Sequence, residues 1–130
     1  MNCTRADLGF IVSKLSQFMS EPKVAHLNLA KNVVRYLKNT IDYCLTFSKS
    51  KNPLKLIGYC DSDWAASSDR RSVSGYSYQL CENGNLISWR SKKQNVVALS
   101  SCEAEYTAMS LAIQEGKFLS QILSDITSTD

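Results

Sequence analysis

The sequence predicts an α/β chain in which a helical hairpin is followed by a three-stranded antiparallel meander and then one long helix. Three observations carry this reading. Apolar residues recur at helical spacing between residues 8 and 39. Short segments between residues 54 and 91 are rich in β-formers and separated by turn residues. An apolar-striped run then extends from Ser101 to about Asp125. A length of 130 residues suits one domain or a piece of something larger.

The first helix is read in "LGFIVSKLSQFMS", which spaces Leu8, Ile11, Val12, Leu15, Phe18 and Met19 along one face before Glu21 and Pro22 stop the pattern. A second stripe, Val24, Leu27, Ala30, Val34 and Leu37, runs from Lys23 to Asn39, with Lys31, Arg35 and Lys38 on the polar side. From Ile41 the period changes. "YCLTF" and "LKLIGYC" read as strands around the turn-prone "SKSKNP". "SVSGYSYQLC" alternates, and "NGN" at 83–85 is a hairpin signal before "LISWRS". The long helix is about 25 residues, or roughly 37 Å, with Gly116 as a point where it can bend.

Composition excludes several classes. No run of 18 apolar residues exists, and Cys3, Arg5 and Asp7 stand where a signal peptide would be apolar, so no membrane partner and an intracellular, cytoplasmic or nuclear, location are expected. The five cysteines, Cys3, Cys44, Cys60, Cys81 and Cys102, include no C-x-x-C pair and read as free thiols. Residues 1–53 carry eight Lys or Arg against three acids, and residues 101–130 carry one against five. A basic first half is compatible with a polyanionic partner, and equally with an ordinary solvated face.

Two acidic clusters stand out, "GYCDSDWA" (58–65) and "ALSSCEAEY" (98–106). Ser100 and Glu103 fit a capping box, which gives Glu103 a structural task. Glu105 lies about 200° further around the helix, near the stripe of Ala108, Met109 and Ala112 that has to pack inward. A carboxylate there is costly unless it is paired or binds a cation; the other reading is a solvated acid favoured by the helix dipole. Asp61 and Asp63 share a strand face with Ile57 and Tyr59, and mark either the start of a turn or a site. Asp61 with Glu105 would form half of an oxygen-ligand site for Mg2+ or Mn2+.

Other chemistries lack support. His26 is the only histidine, has no acid or nucleophile near it in sequence, and reads as a surface or packing residue. No phosphate-binding glycine motif is present. Trp64, Trp89 and the six tyrosines read as packing, with base stacking the other use for such rings.

With these residues in view, the chain resembles the end of copia-type retrotransposon Pol polyproteins, where reverse transcriptase passes into ribonuclease H. The matching stretches are "TRADLGFIVSKLSQFMSEPKVAHLNLAKNVVRYLKNT", "GYCDSDWA", "DRRSVSGYSYQL" and "ISWRSKKQNVVALSSCEAEYTAM", together with the helix that follows. The resemblance implies that residues 1–40 are the last helices of the polymerase region. It implies that residues 41–130 are the first half of a ribonuclease H-like fold, the meander and the long helix. In that family the first strand's Asp and the first helix's Glu hold divalent ions, which places Asp61 and Glu105 as metal ligands and catalytic residues.

The implied cofactor is Mg2+ or Mn2+, used as two ions about 4 Å apart to cut RNA paired to DNA. The implied partners are an RNA–DNA hybrid and the rest of the polyprotein. Arg70, Arg71, Arg90, Lys92 and Lys93 are the candidate hybrid contacts, through phosphates and 2′-hydroxyls. The family completes its site with further aspartates downstream, and neither Asp125 nor Asp130 corresponds to them. The expectation for these 130 residues alone is therefore no cleavage, and the alternative function is binding without catalysis. Smaller departures from the family are Ala6 for Pro, Asn39 for Gly and Cys102 for Thr.

Overall fold

The computed structural model describes residues 4–49, 53–65, 69–82 and 84–128. The chain divides into two units with the boundary between Leu45 and Thr46.

In the first unit a short 3-10 turn, Ala6–Leu8, leads into helix α1, Gly9–Ser16, and helix α2 spans Val24–Asn39. The first helix stops short of the apolar stripe that predicts it. Phe18, beyond its end, instead stacks on His26, with ring centroids 4.0 Å apart. His26 Nδ1 also accepts from the Lys23 amide at 3.1 Å, which satisfies one of the free N–H groups at the start of α2. The lone histidine is thus a packing and capping residue. Between the helices, Val12, Leu15, Leu27, Ala30 and Val34 help line an apolar groove of about 450 Å³.

Arg5 ties the beginning of this unit to the end of α2. Its guanidinium pairs with Asp7 at 2.8 Å, donates to the Thr40 carbonyl and hydroxyl, and lies over the Tyr36 and Tyr43 rings. The Tyr36 hydroxyl donates to Asp7. Chiefly through the Arg5 hydrogen bond, the Asp7 carboxyl is held at about 2, below its ordinary 3.8. A carboxylate whose folded value lies below its unfolded value stabilises the fold above about pH 4, and that contribution is lost as the pH falls through about 2. Arg5→Gln is therefore expected to lower the thermal midpoint at neutral pH, by a difference that narrows as the pH falls toward 2 but does not vanish, since the bonds to Thr40 are lost at every pH. Thermal melts across that range check this.

The second unit contains strands β1, Leu56–Asp63, β2, Val73–Leu80, and β3, Asn85–Lys93, followed by helix α3, Ser101–Thr127. The sheet is an antiparallel meander in the order β1-β2-β3, with β1 an outer strand among the described residues. Partner residues across the ladders put Leu56, Gly58, Cys60 and Ser62 on the same face as Leu80, Tyr78, Tyr76 and Ser74. That face meets α3. Ala104, Ala108 and Ala112, each four residues apart and buried, form its contact line.

Tyr78 is the centre of this packing. Its hydroxyl donates to the Ala112 carbonyl at 2.6 Å, and its ring lies between two glycines. A Cβ at Gly58 would come within 2.3 Å of the ring, and one at Gly116 within 2.5 Å of the hydroxyl oxygen. Gly116 is thus needed for close approach and lies inside the helical span. Tyr76, Leu56, Ile87, Leu111 and Leu119 complete the core.

Two other expectations are corrected. "YCLTF" forms no strand: residues 43–49 are irregular, and the amide and carbonyl of Ser48 bond to the Asn85 side chain instead of a ladder neighbour. Met109 does not join the inward stripe and is 41% exposed. The expected turn at 48–53 and the hairpin at 83–85 lie partly outside the described residues, at 50–52 and 83. Among the described cysteines none is joined to another, and no helix among the described residues is long and apolar enough to cross a membrane.

Candidate metal centre at the start of the long helix

The start of α3 is fixed by its cap. Ser100 Oγ accepts from the Glu103 amide at 3.2 Å, as the capping box requires. Glu103 reaches one residue further back than expected: its Oε2 accepts from the Leu99 amide at 2.7 Å rather than from Ser100. Glu103 is thereby committed to the helix end and exposed, while Glu105, two positions on, turns toward the sheet and is half-buried.

Glu105 Oε1 accepts from the Ser62 amide at 3.3 Å. Ser62 follows Asp61, so bond lengths alone limit the distance between the Glu105 and Asp61 carboxylates to about 9 Å or less. The alternation along β1 gives the pair its geometry. Ser62 shares the α3 face with Ser74, and Asp61 projects with Tyr59 and Asp63 from the opposite face, where it is exposed. Glu105 thus meets the backbone of β1 from the α3 side, and Asp61 projects from the other side of the strand.

Two carboxylates are hard oxygen donors and fit Mg2+ or Mn2+ rather than a softer metal. They make only part of a coordination shell. Among the described residues no group of three His, Cys, Asp or Glu side chains comes together to hold an ion. The two carboxylates are thus of the donor type that divalent cations take, without a third such group beside them among the described residues.

The five basic candidates do not form one patch. Arg90 and Lys92 pair with Tyr76 and Ser74 and so share the α3 face, whereas Lys93 pairs with Val73 on the opposite face. Lys93 Nζ is 2.9 Å from Asp69 Oδ2, and Arg71 Nε lies 3.7 Å from the same oxygen. Lys93 beside it holds the Asp69 carboxyl below its ordinary range. Arg70 is exposed, in a left-handed backbone conformation with φ of 59°.

Two polar features went unread in the sequence. Glu115 accepts from Ser88 Oγ at 2.7 Å, and its charge adds to burial in raising the Tyr76 hydroxyl above its ordinary value. Its signal was available, because residue 115 lies three positions beyond Ala112 on the inward face. Gln94 is 5% exposed, and its Nε2 donates to both Ser74 Oγ and the Ala104 carbonyl, while Oε1 is buried without a partner among the described residues. Nothing marks it in "SKKQN", which reads as polar loop.

Comparison with known proteins yields relatives over nearly the whole chain. The chain is 50% identical over 120 residues to a protein named Secreted RxLR effector protein 161 from Plasmopara viticola, covering 92% of this chain and 82% of that protein. It is 40% identical over 124 residues to the retrovirus-related Pol polyprotein from transposon RE2 of Arabidopsis thaliana, covering 95% of this chain and 8% of that one. It is 39% identical over 127 residues to the retrovirus-related Pol polyprotein from transposon TNT 1-94 of Nicotiana tabacum, covering 97% and 9%. The chain thus spans less than a tenth of the length of those two polyproteins. No protein-family model and no solved structure matches it.

Proposed function

The chain belongs to the copia-type retrotransposon Pol family, and from that premise we propose that its second unit is the first half of a ribonuclease H-like domain whose Asp61 and Glu105 hold divalent cations. The observation that carries this is the hydrogen bond from the Ser62 amide to Glu105, which brings the helix carboxylate to the backbone next to Asp61. The first unit is then the end of the polymerase region. Bound there, a pair of Mg2+ or Mn2+ ions would supply an activated water and charge stabilisation for cutting RNA in an RNA–DNA hybrid.

This chain's own contribution is to orient two ligands at an exposed strand end, where a phosphate backbone can reach them. Two carboxylates carry too little charge for two divalent ions, so the isolated chain is expected to be inactive. Exposed apolar side chains on α3, among them Tyr106, Phe118 and Ile126, support packing against further parts of a polyprotein. Arg90 and Lys92 on one face and Lys93 on the other are the hybrid contacts proposed, with Arg70 and Arg71 beside the turn that precedes β2.

The test is an assay on a labelled RNA–DNA hybrid. It uses the 130-residue chain and the same chain fused to the segment that follows the matching region in the tobacco polyprotein. The expected result is Mg2+-dependent cleavage by the fusion and none by the shorter chain. Cleavage by neither, with both folded, would count against the nuclease reading.

A second reading is a stand-alone module that binds nucleic acid or protein without cutting. It is favoured by the match over 82% of a relative not much longer than this chain. Tight hybrid binding by the fusion without any cleavage in Mg2+ or Mn2+ would select it.

A further inference from the structure

Asp61 and Glu105 lie on different elements, so something has to set the position of α3 along the sheet to within a fraction of a side chain. Packing by alanines alone does this poorly, because small side chains offer little resistance to sliding. The polar groups beneath the first turn of α3 offer more.

Gln94 follows the end of β3. Its amide donates to the buried Ser72 carbonyl at 2.8 Å, and its side chain turns inward. The carboxamide Nε2 donates to Ser74 Oγ at 2.9 Å and to the Ala104 carbonyl at 3.0 Å. Ser74 is the ladder partner of Ser62, the residue after Asp61, and Ala104 is the residue before Glu105. One carboxamide therefore links the residue before Glu105 to the strand partner of the residue after Asp61. Its orientation is fixed, since the Ala104 carbonyl can only accept and a turned amide would set oxygen against oxygen.

We propose that Gln94 is a positioning residue that holds Glu105 against the Asp61 end of β1; the proposal rests on the reading of those two carboxylates as a cation pair. Buried hydrogen bonds in a region of low dielectric resist displacement strongly, because breaking one leaves a desolvated polar group without a partner. Loss of the Gln94 bridge frees the first turn of α3 to shift, and the Ser62 amide loses its acceptor.

The test reads that amide directly, without any cation. Hydrogen exchange is followed by NMR on the full chain, with Glu105→Ala setting the value for complete loss of the acceptor. Gln94→Met keeps length and removes the donors, and Gln94→Asn keeps the carboxamide one methylene too short. Both are expected to speed Ser62 exchange about tenfold toward the Glu105→Ala value, while Tyr78 and Ala112 stay as protected as in the parent. Unchanged Ser62 exchange, or acceleration shared equally by Tyr78 and Ala112, would overturn the proposal.

Should neither Gln94 variant fold, Ser74→Ala removes one anchor in a milder way. It is expected to give a smaller acceleration confined to the same amide, and no change would again overturn the assignment. A Mn2+ titration of the parent separates the two ideas. Ser62 exchange that responds to Gln94 in a chain that binds no Mn2+ would leave the positioning role standing and remove the cation reading.

Discussion

Tyr78→Ala is expected to destabilise the sheet–helix unit by about 3–5 kcal/mol, a large share of the roughly 5–15 kcal/mol that a domain has in total. The side chain fills the space between β1 and α3 that Gly58 and Gly116 leave open, and its hydroxyl is the bond that joins ring to helix. Truncation leaves a cavity lined by two residues with no side chain to collapse into it. Tyr78→Phe keeps the ring and removes only the bond to Ala112, so its cost is expected to be about 1 kcal/mol. Filling the slot from the other side fails too: Gly58→Ala sets a Cβ 2.3 Å from a ring that cannot swing away, at a cost of about 1–3 kcal/mol. Urea denaturation of the three variants measures the series. Equal midpoints for Tyr78→Ala and Tyr78→Phe would show that the ring does not carry the packing.

The second large effect is on the nuclease chemistry proposed above. In the chain fused to the downstream polyprotein segment, Asp61→Asn is expected to lower hybrid cleavage more than about a hundredfold, beyond the 10–100-fold typical of losing a group that only orients a metal ligand. An amide keeps the shape of the side chain and one oxygen but removes the negative charge that a hard divalent ion needs. Asp63→Asn serves as the comparison: Asp63 shares a strand face with Asp61 but lies two residues beyond it, away from the amide that binds Glu105. It is expected to retain cleavage within a few-fold. Similar losses for the two variants would indicate a diffuse acidic patch rather than a defined ligand.

Much of the fold was legible because periodicity reports burial. Alternation in "SVSGYSYQLC" identifies the central strand, and spacing places Ala108 and Ala112 on the inward line of the long helix, though it also put the exposed Met109 there. "YCLTF" has the composition of a strand but no ladder partner, and β-propensity expresses itself only through such pairing. The first helix ends at Ser16, and Phe18 beyond it stacks on His26, a contact no local pattern encodes.

For the site, the carboxylate types and their places on strand and helix were readable, as was the division of labour between Glu103 and Glu105. What spacing could not give was the partner of each group. Glu103 caps through Leu99, Glu105 meets a backbone amide rather than a side chain, and Lys93 is held by Asp69 across a turn. Gln94 shows the limit most plainly, since a buried carboxamide with two acceptors looks in sequence like any loop glutamine.

The claim on which the rest depends is that Asp61 and Glu105 can take hold of one cation, and Mn2+ titration followed by amide NMR on the 130-residue chain measures it most directly. Paramagnetic broadening is expected to appear together, with one midpoint, at residues 61–62 and 105, and to vanish there in both Asp61→Asn and Glu105→Gln. Broadening that follows the two regions with separate midpoints, or that survives either substitution, would contradict it.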